Sequence, residues 1–169
     1  MEKIDLPNDG AVLAYLSLGS NLGDRRSNLD AVQSALPPEA VIRKASSIYE
    51  TEPWGYLPQP DFLNQILLVD THLSARDLLA YLKDLENWIG REPSFRYGPR
   101  LVDIDIIFYG DQIIIEPDLE IPHPRFQDRA FVLVPLAEIS PNFRVPGSDQ
   151  TISDLLISLD TSGVRLYQE

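Results

Sequence analysis

Leu101-Val102-Asp103-Ile104-Asp105-Ile106-Ile107-Phe108-Tyr109 is the most apolar stretch of the chain, and two aspartates interrupt it one residue apart. Read as a strand, it sends alternate side chains to opposite faces. Val102, Ile104, Ile106 and Phe108 then make a wholly apolar face for the core. Leu101, Asp103, Asp105, Ile107 and Tyr109 make the other face. Two carboxylates side by side on one sheet face repel unless something positive lies between them. A hard divalent cation such as Mg²⁺ suits that place, because it prefers carboxylate oxygens and few protein ligands. The plainer reading is an edge strand protected by charge, and an isolated Asp-x-Asp does not separate the two.

Upstream, Ala11 to Gly19 alternates as a strand, with Val12, Ala14, Leu16 and Leu18 on one face. Ser20 to Asp24 turns into a helix whose stripe is Leu29, Val32 and Leu36, ended by Pro37-Pro38. Val41 to Tyr49 and Phe62 to Val69 read as two further strands, with a proline-rich loop from Pro53 to Pro60 between them. Ser74 caps a helix striped by Leu78, Leu79, Leu82, Leu85 and Ile89 and stopped at Gly90. Arg91 to Pro99 is a loop, and the aspartate strand follows. Downstream, Gln112 to Ile115 is expected to pair back on that strand as a hairpin around Gly110-Asp111. Leu119 to Ile121 is a short extended piece. Phe131 to Ile139 reads as a helix broken by Pro135, Ile152 to Leu159 as a last helix, and Val164 to Tyr167 as a final strand. The order strand, helix, strand, strand, helix, strand predicts an α+β fold: a ferredoxin-like antiparallel sheet covered by helices, with extra C-terminal elements. One domain over residues 1–169 is expected.

Composition narrows the function. A net charge of −12 disfavours coating nucleic acid, which needs a basic surface. The absence of cysteine excludes disulfides, thiolate zinc sites and a cysteine nucleophile. No apolar run approaches membrane-spanning length, and the first ten residues lack a signal-like core, so a cytoplasmic protein without a membrane partner is expected. Positive charge is clustered: of eleven arginines, Arg91, Arg96, Arg100, Arg125 and Arg129 fall close together around the aspartates. Arginines beside paired carboxylates suggest a bound anion together with a metal, although any one of them suits an ordinary surface.

Four segments carry a resemblance. They are Arg91…Gly98-Pro99-Arg100-Leu101-Val102-Asp103-Ile104-Asp105-Ile106, Leu18-Gly19-Ser20-Asn21-Leu22-Gly23-Asp24, Pro60-Asp61-Phe62-Leu63-Asn64, and Ile121-Pro122-His123-Pro124-Arg125 with Arg129-Ala130-Phe131-Val132-Leu133. In this order they resemble the 6-hydroxymethyl-7,8-dihydropterin pyrophosphokinase family of folate biosynthesis, over about residues 12 to 143. The resemblance implies transfer of pyrophosphate from ATP to the pterin hydroxymethyl oxygen, with release of AMP. It implies two Mg²⁺ ions held by Asp103 and Asp105, and triphosphate contacts and catalytic charge compensation from Arg91 and Arg100. His123 and Arg129 would bind ATP from the other side, with Glu86 and Tyr97 near the nucleotide. Phe62 and Phe131 would stack on the pterin and Asn64 would read its polar edge, with Thr51 and Trp54 in the pterin loop. Each phenylalanine also suits an ordinary core position, and Glu86 a solvated helix position. A monomer is expected, acting on two small molecules.

Tyr97 stands where family members often carry Trp, Pro124 where some carry Tyr, and the 91–100 loop is one residue short. The 53–60 and 91–99 loops are expected to close over substrates. Two other readings share some features: an Mg²⁺-dependent nucleotide-sugar transferase or phosphohydrolase, and a non-catalytic small-molecule-binding module. Neither accounts for the paired phenylalanines, Asn64 and the carboxylates together.

Overall fold

A computed structural model of the chain describes residues 4–55, 57–90 and 98–169. β1 (Val12–Ser20) leads through a tight turn into α1 (Arg25–Ala35). Asp24 caps that helix by accepting the Ser27 N–H, a contact worth about 1 kcal/mol. β2 (Ala40–Ala45), β3 (Tyr49–Thr51) and β4 (Phe62–Thr71) follow, then α2 (Ala75–Ile89) and β5 (Asp103–Tyr109). Ser74 caps α2 by accepting the Asp77 N–H, and Gly90 ends it at φ 107°, a conformation that a side chain would strain.

Among the described residues, six strands form one antiparallel sheet in the order β5-β1-β4-β3, with β2 also on β4 and the C-terminal β8 (Val164–Leu166) added beyond β3. The predicted second strand is two pieces, because the chain leaves the sheet at Ser46. There the Ser46 hydroxyl accepts the Ile66 N–H and its carbonyl accepts from the Gln65 side chain, so the gap in the ladder is closed by hydrogen bonds. The sheet is otherwise the predicted ferredoxin-like arrangement. Leu29, Val32, Leu78 and Leu82 of α1 and α2 cover one face. Val132, Leu133 and Leu136 of α3 (Ala130–Ile139) and Ile152 of α4 (Ile152–Ile157) cover the other.

Strict alternation fails in β2, between Ile42 and Lys44, and more consequentially in β5. Tyr15 pairs with Phe108 but Leu16 pairs with Ile106, so Ile107 is an extra residue, a β-bulge. Ile104, Ile106 and Tyr109 therefore face α1 and α2, whereas Ile107 and Phe108 both face α3. The predicted positions of Phe108 and Tyr109 are corrected by this one-residue slip. Phe108 packs edge-on against Phe126 and beside Phe143 under α3.

Two further expectations change. Residues 112–115 do not return to β5. β6 (Ile114–Glu116) pairs instead with β7 (Leu119–Ile121) as a separate ribbon across Pro117-Asp118. Helix α3 runs unbroken through Pro135. Its buried residues, Pro135 among them, pack on the sheet, and that burial outweighs one lost backbone bond. The last helix ends at Ile157 rather than Leu159, and no helix among the described residues is long and apolar enough to cross a membrane.

Candidate active site

The α3 side of the sheet is open at the end where β1 finishes and β4 and β5 begin. Cross-strand pairing fixes what lies there. Asn64, Gly19 and Asp103 form one row across β4, β1 and β5, and Ile66, Ser17 and Asp105 form the next. Directly opposed residues share a face, so both aspartates project beside Gly19 and Ser17 into a cleft of about 280 Å³. β5 is the edge of the sheet, as the plainer reading had it, yet its carboxylates line the cleft.

The cleft is electrostatically uneven. Burial first, and then the Asp103 carboxylate, push the Asp105 acid up to about 7. Arg129 and Lys83 oppose that rise, and Glu86 adds to it. The Arg100 guanidinium lies 3.1 Å from Asp103. Glu86, at the end of α2, is 1% exposed and accepts the Ile104 N–H at 2.8 Å. It therefore anchors the backbone between the two aspartates from behind, and it is not among the residues lining the cleft. An acid this costly to ionise, next to a second carboxylate, fits a divalent cation, which would relieve both desolvation and repulsion. Among the described residues no group of three histidines, cysteines or carboxylates gathers as a complete cage. A carboxylate pair completed by substrate phosphates is the usual Mg²⁺ arrangement.

His123 enters from the strap after β7. Its backbone N–H donates to the carbonyl of Ile107, the bulged residue, at 3.0 Å. The bulge thus sets the position of the imidazole. Nδ1 accepts the Arg125 N–H at 3.1 Å. Burial, with Arg129 next, pushes the ring down to about 4, so it is neutral at pH 7 with its proton on Nε2, a donor for an anionic oxygen. The unfolded chain binds a proton near pH 6.5 that the folded chain refuses until about 4. His123 therefore removes stability as pH falls through that window, on the order of 2 kcal/mol. The variant His123→Gln should show a correspondingly flatter loss of urea stability from pH 6.5 to 4. An unchanged slope would remove the buried neutral imidazole from the account.

The other end of the cleft is aromatic. Phe62 and Phe131 line it with Trp54 and Thr51. Asn64 is 3% exposed and its amide donates to the Thr51 hydroxyl at 2.8 Å, which fixes the amide's orientation. The Arg129 guanidinium lies 5.4 Å from the Trp54 ring centre and 5.6 Å from that of Phe131, and Arg125 lies 5.9 Å from Trp54 on its own account. These cation–π contacts tie the loop that carries Trp54 to the arginines of the opposite wall.

Thr51, Trp54, Phe62, Asn64, Arg100, Asp103, Asp105, His123, Arg129 and Phe131 thus meet in one cleft, while Glu86 stands behind it. Arg91 and Tyr97 lie outside the described residues, as does most of the 91–99 loop. Sequence reasoning missed Ser17, Gly19, Glu52, Lys83 and Gly98 as lining residues. For Ser17 and Gly19 the signal was present: they alternate on β1 opposite the face of Leu16 and Leu18.

The chain is similar to known proteins of one family. The family model described as 7,8-dihydro-6-hydroxymethylpterin-pyrophosphokinase (HPPK) matches residues 15–141. The 2-amino-4-hydroxy-6-hydroxymethyldihydropteridine pyrophosphokinase of Bacillus subtilis is 38% identical over 159 residues, 93% of this chain and 91% of its own. Folic acid synthesis protein FOL1 of Dictyostelium discoideum is 42% identical over 156 residues, 92% of this chain. The chain spans only 24% of that relative's length, and 21% of the fol1 protein of Schizosaccharomyces pombe. The Plasmodium falciparum HPPK-DHPS A437G/K540E structure with pterin and p-hydroxybenzoate superposes with a TM-score of 0.72 at 17% identity, over 87% of this chain and 43% of that one. At that identity the likeness concerns the fold.

Proposed function

The chain belongs to the 7,8-dihydro-6-hydroxymethylpterin-pyrophosphokinase family, and from that premise we propose that it transfers the β,γ-pyrophosphoryl group of ATP to the hydroxymethyl oxygen of 6-hydroxymethyl-7,8-dihydropterin, releasing AMP. The observation that carries the reading is convergence: residues from all four motif segments, scattered between Gly19 and Phe131, line one cleft, with carboxylates at one end and aromatics at the other. The reaction needs no protein nucleophile, since the substrate's own oxygen attacks the β-phosphorus. The bond from that phosphorus to the oxygen bridging it to the α-phosphorus breaks, and the hydroxyl proton is lost. What the protein must supply is alignment and charge compensation.

Phe62 and Phe131 hold the flat pterin between them, and Asn64, oriented by Thr51, reads its donor–acceptor edge. Asp103 and Asp105 would hold the two Mg²⁺ ions, whose chemistry there would be to offset phosphate charge and to make the attacking hydroxyl more acidic. Arg100 and Arg129 offset charge on the triphosphate, and the Nε2–H of His123 donates to it. Arg91 compensates charge that grows only in the transition state. The protein acts as a cytoplasmic monomer on these two small molecules.

The test is direct. Incubated with ATP, Mg²⁺ and the hydroxymethyl dihydropterin, the protein should release AMP in proportion to the pterin. Steady phosphate release without pterin, or binding without turnover, would overturn the reading. Arg91→Ala should cut kcat by about 100-fold or more while changing substrate Kd values little. Activity near that of the parent would remove Arg91 from its role.

A further inference from the structure

Asn21 is 1% exposed, lies just past the end of β1 and lines no part of the cleft. Its polar groups are nevertheless engaged with both walls. The side-chain Oδ1 accepts the Arg100 N–H at 2.7 Å, and the Asn21 N–H donates to the Arg100 carbonyl at 3.0 Å. The side-chain Nδ2 donates to the Gln59 Oε1 at 2.9 Å and to the Pro60 carbonyl at 3.0 Å. The carbonyl and both N–H bonds of one amide are thus used, two of these bonds toward main-chain atoms of segments about 40 residues apart. The turn that carries it is itself fixed, because Asn28 donates to Ser20 Oγ and to the Leu22 carbonyl on either side.

What Asn21 joins gives the clasp its meaning. Arg100 reaches Asp103 at 3.1 Å on the carboxylate end of the cleft. Pro60 lies two residues before Phe62 and four before Asn64 on the aromatic end. We propose that Asn21 is a positioning residue that locks the nucleotide-side segment at Arg100 to the pterin-side segment at Gln59-Pro60, so that ordering one wall by its substrate favours the other. The inference rests on the two-substrate reading given under Proposed function. The residue type follows from the bond count. Asp keeps the acceptor for Arg100 but loses both donors, Ser is too short to reach both walls, and Gln is one methylene too long to keep the spacing. Coupling of this kind is a free energy shared between two sites and reads out in either direction.

The experiment compares the parent protein with Asn21→Asp, which keeps the shape and the Arg100 contact while severing the pterin-side bonds. Calorimetry would give the Kd of the hydroxymethyl dihydropterin with and without Mg²⁺ and a non-hydrolysable ATP analogue. In the parent the nucleotide should tighten pterin binding. In Asn21→Asp that ratio should fall by about tenfold, KM for pterin should rise by a similar factor, and KM for ATP should stay within about twofold. A merely structural turn residue would lower the melting temperature and leave the ratio and the KM split unchanged, and that result overturns the inference. So does a parent protein that binds pterin equally well with and without nucleotide. Should Asn21→Asp fail to fold, Gln59→Leu, which removes one acceptor of the clasp, must move the ratio in the same direction, and an unchanged ratio overturns the proposal. A parent protein that neither binds pterin nor forms AMP defeats the functional reading itself, which separates the two failures.

Discussion

Asp105→Asn should bring pterin-dependent AMP formation to background and, in the same protein, raise the melting temperature measured without metal at pH 8. Asp103→Ala should share the first effect. Metal-bound phosphate is worth several kcal/mol of transition-state stabilisation, which at about 1.4 kcal/mol per decade is on the order of 10³-fold in rate. The stability gain has a separate origin. Burial, with Asp103 beside it, raises the folded-state value of Asp105 from 3.8 to about 7. The folded chain therefore holds a proton that the unfolded chain has lost, and stability declines as pH rises from about 4 to about 7. Asparagine has the same shape and no charge to desolvate. Even half of that shift corresponds to about 2 kcal/mol, or about 5 °C in Tm for a chain of this size. The gain should shrink toward zero by pH 4, where the folded Asp105 is already protonated. Differential scanning fluorimetry across that range in EDTA measures it. A variant less stable than its parent at pH 8 would mean that Asp105 makes a favourable contact in the empty site, and the argument for a cation between the carboxylates would lose its electrostatic basis.

How far the sequence announced this arrangement depended on what each inference required. Hydrophobic period gave the helices α1 and α2 and the strand order, because Leu29 and Val32, or Leu78, Leu82 and Leu85, can be buried together only on one helical stripe. Period could not give the bulge at Ile107. Ile106-Ile107-Phe108 is apolar throughout, so an inserted residue leaves the pattern unchanged, and only pairing with Tyr15 and Leu16 reveals the slip. That hidden residue matters, since its carbonyl receives the His123 N–H. The separate β6–β7 ribbon escaped for a related reason: a turn signal at Gly110-Asp111 says that the chain reverses but not which strand it joins. In the site, side chains with their own chemistry could be named from motif order. Glu86 could be named too, but not its action, because a carboxylate turned inward to a backbone N–H and one turned outward to a ligand look alike in sequence. Gly19 sits in one of the matching motifs and on the right face of β1, yet it drew no role, because a residue without a side chain offers no chemistry to read.

Gly19 leads to the second large effect. It lies on the floor of the cleft between Asn64 and Asp103 in one cross-strand row. Adjacent strands are about 4.8 Å apart, so those two side chains stand about 10 Å from one another across an open floor. Its backbone needs no positive φ, so conformation alone does not demand glycine here. A Cβ added at Gly19 would meet the Asn64 Oδ1 at 3.5 Å and the Phe62 Cδ1 at 3.6 Å, which is ordinary contact. The fold therefore tolerates a methyl group, and Gly19→Ala should leave the melting temperature within a few degrees of the parent's. The two further methyl groups of valine have to project into the space beside Phe62 and Asn64, where the proposed function seats the pterin. Overfilling a packed space costs about 3 kcal/mol, equivalent to about 100-fold in affinity. Gly19→Val should accordingly raise the Kd of the pterin by about that factor and abolish AMP formation at pterin concentrations that saturate the parent. The carboxylates and His123 are untouched by the substitution, so the affinity for the Mg²⁺–ATP analogue alone should change far less. Equal losses for both ligands would mean that the aromatic and carboxylate ends do not serve separate substrates. Full pterin affinity in the valine variant would place the pterin away from the floor formed by β1, and with it away from Phe62 and Asn64.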